Sequence, residues 1–415
     1  MAEIEVPPYF VCPISLEIMK DPVTIPTGIT YDRESIEQWI FTLNTLICPV
    51  TKQTLDPNQE LITPNLILRS MIQSWCTLHS PQGIQTLPIP ETHVSKSQLL
   101  KILDEARNNN LLTQIKCLQN IRSIASKNQA NKRCMESAGM PGFLSDLIVQ
   151  KTREASRAEI SEDLSDLRKA CDEALSILCI LGLSEPGLKA LNNPEFVESL
   201  TLIMQFDSYE SRAYAIMLLK SMLEVADPSL LINLRPEFFA ELRQTLDDQI
   251  SHKATKETLK ALIVSCPWGK NRIKAVEAGI VPVLIDLLLD SFDKRLCEMM
   301  LMVLDLLCQC AEGRAELLKH GAGLAVVSKK ILRVSQVASE KAVRILSSVS
   351  RFCANPGVLH EMLSIGVVAK LCLVVQVDCG SKTKERAREM LLLHSRAWRN
   401  SSCIPRILIS SYPLS

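Results

Sequence analysis

Residues 274–289 read KAVEAGIVPVLIDLLL. A short apolar helix runs into Gly279, and a second apolar run opens directly behind it. A glycine that closes one helix where the next begins marks an interhelical turn, because glycine enters the left-handed conformation without a steric cost. The arrangement recurs in EMLSIGVVAKLCLVV, residues 361–375, and Gly279, Gly321 and Gly366 stand 42 and 45 residues apart. Gly139 has the same context upstream. At two intermediate breaks the glycine is lost, and Asn192-Asn193-Pro194 and Arg235-Pro236 stand in its place.

A second landmark gives the same register. An apolar-apolar-x-x-apolar signature recurs with its second residue at Leu118, Leu175, Ile216, Leu259, Val303, Val343 and Met390, in steps of 57, 41, 43, 44, 40 and 47. A period of ~40–47 residues with two or three helices per unit is armadillo/HEAT spacing. Residues 96–400 are therefore expected to form an α-solenoid of about six or seven armadillo-like repeats, followed by a tail over 401–415. The oversized first step points to an insertion. Gln150 to Lys169, QKTREASRAEISEDLSDLRK, supplies it and reads as a solvated polar loop.

Composition agrees with a mainly α chain. Aromatic residues make up 4% of the 415 positions and glycine occurs 14 times, too few for an all-β sandwich or barrel. Forty-six basic residues balance 46 acidic ones, which argues against a dedicated nucleic-acid binder. No apolar run approaches the ~18–20 residues of a membrane span, and MAEIEVPPYF lacks the regions of a secretory signal. A cytoplasmic chain is expected, with the nucleus as a second compartment. The 15 cysteines are odd in number and scattered through apolar helices, so reduced thiols are expected and disulfides are not.

The N-terminal part differs. Eleven of the 21 prolines fall in residues 1–90, so a compact, turn-rich unit precedes the helical one, joined by an extended linker over 80–95. In that unit two proline-bearing loops, Cys12-Pro13-Ile14 and Cys48-Pro49-Val50, bracket a turn at Thr27-Gly28 and a helix starting near Asp32. Ile36, Ile40 and Leu43 keep i, i+4, i+7 spacing on that helix, with Trp39 beside the stripe. A second helix opens after Pro64, with Asn65 as N-cap and Leu68, Ile72 and Trp75 on one face. Loop, hairpin, helix, loop, helix is the plan of a RING finger, which needs eight Cys/His ligands for two zinc ions. Residues 9–79 supply Cys12, Cys48, Cys76 and His79. Zinc is excluded by that count, so hydrogen bonds, ion pairs and packing must hold the loops.

The motifs CPIS-x3-M-x-DPV, GITYDRESI-x2-W, CPVTKQ and PN-x2-LR-x2-I-x2-W, over about residues 5–79, closely resemble the U-box, the zinc-free relative of the RING. With the repeats that follow, the chain resembles the plant U-box/armadillo-repeat ubiquitin ligases, in particular the subgroup associated with immune and stress signalling. The resemblance extends into ISHKATKETLKALIVSCPWGKNR, LCQCAEGRAELLKHGA and VSKKILRVSQ. It implies an E3 that carries no nucleophile of its own. Such a protein binds a conjugating enzyme charged with ubiquitin, restrains the ubiquitin, and lets a substrate lysine attack, so that the gain is proximity and orientation.

By the same resemblance, Ile14, Leu16, Trp39 and Pro49 would grip the conjugating enzyme. Lys52 stands where the family often has an arginine that contacts both ubiquitin and the enzyme. Lysine keeps the charge and loses the planar multi-donor fork, so Lys52 is expected to position the ubiquitin with a weaker restraint or to cede that role to Gln53. The resemblance implies no cofactor, a protein substrate on the repeats, and pairing of two chains through the U-box.

Other candidates carry less. Cys308-x-Cys310, Cys372 and Cys379 lack ligand spacing and nearby histidines and read as buried thiols. The cluster Lys382 to Arg388 reads as a solvated helix face. An import receptor would line its groove with Trp-x3-Asn ladders, and Trp268 and Trp398 have Asn271 and Asn400 at the wrong offsets. A non-enzymatic adaptor with a degenerate U-box is the alternative, against which the near-complete motif weighs. Charge separates the two parts. Residues 1–79 hold four basic and nine acidic side chains, a net of −5, and the remainder carries +5. An acidic head suits basic conjugating enzymes, and a basic solenoid suits acidic targets, both weakly and in a salt-dependent way.

Overall fold

The computed structural model describes residues 6–42, 45–56, 61–79, 96–108, 110–157, 162–206 and 208–398. Leu43, the linker over 80–95 and the tail over 401–415 lie outside them. The chain divides into two compact units, residues 1–93 and 94–415.

The first unit is built on a three-stranded sheet in the order β2-β1-β3, with β1 Pro22–Thr24, β2 Thr30–Asp32 and β3 Thr63–Pro64, antiparallel throughout. Gly28 makes the β1–β2 turn at a φ of 81°, its N–H donating to the Ile25 carbonyl at 2.8 Å. Helix α1, Arg33–Glu37, continues as a wider π turn through Gln38–Thr42 and buries Ile36 and Ile40. Helix α2 spans Leu66–His79, and the Asn65 side chain accepts the Leu68 N–H at 3.0 Å. Ile72 and Cys76 are buried and Leu68 and Trp75 pack against the same core, where Phe10 meets Trp75 edge to face.

The second unit is a stack of helices. A leading pair, α3 Lys96–Asn108 and α4 Leu111–Lys127, precedes repeats of three. In the first repeat these are α5 Gln129–Ser137, α6 Met140–Arg157 and α7 Glu162–Leu181, and in the second α8 Glu185–Leu191, α9 Pro194–Ile203 and α10 Tyr209–Glu224. The third has α11 Pro228–Ile232, α12 Pro236–Asp247 and α13 His252–Ser265, and the fourth α14 Asn271–Glu277, α15 Ile280–Asp290 and α16 Lys294–Leu307. The fifth has α17 Ala311–Lys319, α18 Gly323–Lys330 and α19 Gln336–Phe352, and the sixth α20 Pro356–Ser364, α21 Val367–Gln376 and α22 Ser381–Leu393. The short α23, Ser395–Trp398, follows, with the Trp398 indole N–H donating to Leu359 at 3.1 Å. All seven signature residues fall on α4 or on the third helix of a repeat, and all are buried. Consecutive members of this row pack on one another from α4 to α22. The period recurs because each repeat buries its third helix between its neighbours'.

Gly139, Gly279 and Gly366 adopt φ of 81°, 83° and 78° in the turn between first and second helices. Gly321 is not left-handed, because its repeat turns through the longer His320–Ala322 segment. Gly313 and Gly323 carry the close approaches of that repeat instead, since a Cβ at either would strike the carbonyl of Leu307 or Leu317. The stretch 150–169, expected as a loop, is helical over 150–157 and from 162 onward, so most of the insertion lengthens α6 and α7. Its Lys, Arg, Glu and Ala residues are good helix formers, and Lys151–Glu154 and Lys169–Asp166 pair one turn apart at 2.9 and 3.0 Å. Among the described residues no single helix is long and apolar enough to cross a membrane.

Candidate functional site

The two proline-bearing loops have one backbone design, repeated at an offset of 36 residues. In the first, the Leu16 N–H donates to the Cys12 carbonyl at 2.9 Å and the Cys12 N–H to Glu17 at 2.8 Å. In the second, Lys52 donates to Cys48 at 3.0 Å and Cys48 to Gln53 at 2.8 Å. An antiparallel bridge closes each loop, Val11 with Ile18 and Ile47 with Thr54. Leu16 and Lys52 both take left-handed backbone, with φ of 58° and 59°. A non-glycine residue there pays a steric cost.

Strand β2 joins the two. The Asp32 N–H donates to Cys12 Sγ at 3.2 Å, and the preceding residue, Tyr31, sends its hydroxyl to the second loop. That hydroxyl lies 3.2 Å from Cys48 Sγ and accepts the Val50 N–H at 3.3 Å. Consecutive residues of one strand therefore fix one loop each. Cys48 Sγ also accepts from the Thr27 hydroxyl and the Thr51 N–H, both at 3.4 Å. Burial alone would raise its pKa, but the donors from Thr27, Thr51 and Tyr31 outweigh it and hold the thiol down at about 6. Cys12 is lowered too, its backbone donors from Ser15, Asp32 and Ile14 overcoming burial. Sulfur that accepts hydrogen bonds here holds the loops from inside. Outside, Arg33 bonds Asp21 at 2.6 Å and Asp32 accepts the Lys20 and Asp21 N–H groups at 2.7 and 2.9 Å, tying the end of the first loop to the start of α1.

The surface carries the residues named from sequence. Leu16 stands 77% exposed at the tip of the first loop, with Ile14 half-buried below it. Pro49 is half-buried on the second loop, and Lys52 is exposed there with no side-chain hydrogen bond described. Trp39 has a second task that sequence reasoning missed. Its ring is half-buried against the core and its Nε1–H donates to the Ile47 carbonyl at 2.8 Å, so it braces the second loop while leaving part of its surface free. Ile47 and Val50 are exposed as well. The signal for them was the match of VCPIS to ICPVT, which makes Val50 the counterpart of Ile14. The result is an apolar surface on two hydrogen-bonded loops with the Lys52 cation at its side.

In the second unit, the third helices carry charges that pair from repeat to repeat. Arg122 meets Glu173 at 3.3 Å, Lys220 meets Glu257 at 4.0 Å, Asp305 meets Arg344 at 3.2 Å and Arg351 meets Glu389 at 3.3 Å. Asp305 is nearly buried, and that burial raises its pKa to about 6 against the pull of Arg344 and Lys341. Cys308, Cys372 and Cys379 are buried thiols as expected, with Cys308 pushed up by burial, whereas Cys310 is half-buried and its S–H donates to the Leu307 carbonyl at 3.1 Å.

Known families match both units. A U-box domain matches residues 6–81, and the plant U-box protein ARM repeat region matches residues 97–414. The chain belongs to the plant U-box/armadillo-repeat ubiquitin ligases. Among its relatives in Arabidopsis thaliana, E3 ubiquitin-protein ligase PUB22 is 52% identical over 99% of both chains. E3 ubiquitin-protein ligase PUB23 is 54% identical over 99% of this chain and 98% of its own. E3 ubiquitin-protein ligase PUB24 is 35% identical over 98% and 96%. At this likeness over the full length, the U-box is that of a ubiquitin transferase.

Proposed function

We propose that the U-box recruits a ubiquitin-charged conjugating enzyme through Ile14, Leu16, Trp39 and Pro49, while the armadillo repeats hold a protein substrate whose lysine receives the ubiquitin. The observation that carries this reading is Leu16. A leucine held 77% exposed on left-handed backbone is costly for folding, and the cost is explained if a partner covers it. Exposed apolar residues on braced loops, with a tryptophan among them, are the make-up of an interface hot spot. Lys52, on the matching tip of the second loop, is the group that restrains the ubiquitin. No residue of this chain forms a covalent bond to ubiquitin in the scheme; the acceleration comes from holding thioester and amine in a reactive orientation. A cytoplasmic setting, with the nucleus as a second compartment, pairing of two chains through the U-box, and a role in immune or stress responses belong to the same proposal, on the strength of the family.

Mixing the protein with activating enzyme, a conjugating enzyme, ubiquitin and ATP tests it. Ubiquitin chains and autoubiquitination are expected. Their absence would turn the protein into an adaptor.

A further inference from the structure

The two breaks at which the repeat's glycine is replaced line one cavity. Asn192 and Pro194 from the α8–α9 break and Arg235 from the α11–α12 break border a space of about 340 Å³ between the second and third repeats. Its origin is visible in helix lengths. Helix α11 has five residues, whereas the first helices of the other repeats have seven or nine. The missing turn leaves the flanks of α9 and α12 uncovered. The floor is apolar, from Val197, Leu230, Leu234 and Phe238. No lining residue comes from α7, α10 or α13, so the cavity opens on the side built by first and second helices, away from the charge-paired third helices.

Its rim is acidic. Glu198, Asp227 and Glu237 border it, against Arg235 as the single cation among the lining residues, and Glu198 holds Arg235 at 2.8 Å. Among the described residues neither Asp227 nor Glu237 forms an ion pair. Lys189, which feels the Asp227 charge, is bonded to Glu185 at 2.7 Å. Asn192 stands in the wall. Asn192 donates through Nδ2 to the Met222 carbonyl at 3.3 Å, and its buried Oδ1 receives no hydrogen bond.

We propose that this cavity docks a short extended segment of a protein partner bearing one large apolar side chain beside lysine or arginine. The apolar group fills the floor and the cation meets Asp227 and Glu237. At the small end of the ~300–1,000 Å³ range of ligand pockets, the space admits an anchoring side chain and excludes a folded surface. That the bound segment belongs to a ubiquitination substrate rests on the function proposed above.

Random octapeptides displayed on phage and selected against the full-length chain test the proposal. Enriched peptides are expected to share a Leu, Ile, Met or Phe next to Lys or Arg. By fluorescence anisotropy their binding should weaken by about tenfold or more when that apolar residue becomes alanine, and equally when the protein carries Asp227→Lys with Glu237→Lys, two exposed positions. The doubly substituted protein should still build free ubiquitin chains at the normal rate. No enrichment, or peptides indifferent to the charge reversal, would overturn the pocket. An enriched peptide fused to a lysine-bearing carrier separates the two ideas: a carrier that is bound and ubiquitinated supports both, whereas one bound and left unmodified keeps the pocket and removes the substrate-receptor reading.

Discussion

The loops at residues 10–19 and 46–55 share a backbone and differ in what they present. Both turn through Cys-Pro, both place their fifth residue in left-handed backbone, and both are held at a cysteine sulfur by β2. The first ends in Leu16, an exposed apolar tip, and the second in Lys52, an exposed cation. Their supports differ as well. Cys12 Sγ is held mostly by backbone N–H groups, from Ser15, Ile14 and Asp32, with the Ser15 side chain beside them. Cys48 Sγ draws on two side-chain hydroxyls, Thr27 and Tyr31, and its loop is braced again by the Trp39 indole. One scaffold thus presents two chemically different tips, and the second copy depends more on side chains, so substitution should break it more easily.

The largest effect is expected at Trp39. Trp39→Ala removes both ring packing and the bond to Ile47, and should cost the N-terminal unit ~2–4 kcal/mol, near or below the cost for a fully buried aromatic, with chain formation falling at least about tenfold. Trp39→Phe keeps the packing and loses only the N–H, for ~1 kcal/mol and a small loss of activity. Urea unfolding and a gel assay of chain growth check both. Full activity of a folded Trp39→Ala protein would contradict the interface.

Tyr31→Phe comes next. It strips the hydroxyl shared by Cys48 Sγ and the Val50 N–H, and the unmet groups should cost ~1–3 kcal/mol in denaturant unfolding, with the second loop loosened and the first left intact. Hydrogen exchange should show faster exchange at Val50 and Thr51, and unchanged exchange at Leu16.

A pH experiment sharpens the contrast further. Cys48 has its folded pKa lowered to about 6, so its thiolate stabilises the fold fully above the ordinary thiol range and loses that contribution as pH falls toward 6. The urea midpoint of the N-terminal unit should therefore rise between pH 6 and 9. In Cys48→Ser, which does not ionise in that window, most of the rise should vanish. The smallest effect is expected from Lys52→Gly, which relieves the left-handed backbone and should raise stability by up to ~1 kcal/mol while slowing ubiquitin transfer.

Much of this was legible in the chain itself. The repeat period could be read because each third helix buries the same positions, Leu118 through Met390, and burial constrains sequence directly. The interhelical turns were legible where glycine must be left-handed, at Gly139, Gly279 and Gly366. They were misleading at Gly321, whose repeat solves the turn with a longer segment. The 150–169 stretch misleads because high charge marks a solvated surface equally well in a loop and on a helix, and the i, i+3 pairing of Lys151 with Glu154 decides between them only once a helix exists. At the site, Leu16, Ile14, Pro49 and Lys52 came from motif, while the brace from Trp39 to the Ile47 carbonyl could not be read, because a side chain's bond to a backbone oxygen eight residues away leaves no pattern. The likeness of VCPIS to ICPVT, by contrast, stands in the sequence itself.

The division of labour between the two loop tips is tested most directly by Leu16→Ala and Lys52→Ala, each assayed for affinity to the conjugating enzyme and for single-turnover discharge of its ubiquitin to free lysine. Leu16→Ala should weaken binding by about tenfold or more with discharge at saturation little changed, and Lys52→Ala should slow discharge severalfold at unchanged affinity. Equal loss of affinity in both variants, or discharge unaffected by the loss of Lys52, would contradict the assignment.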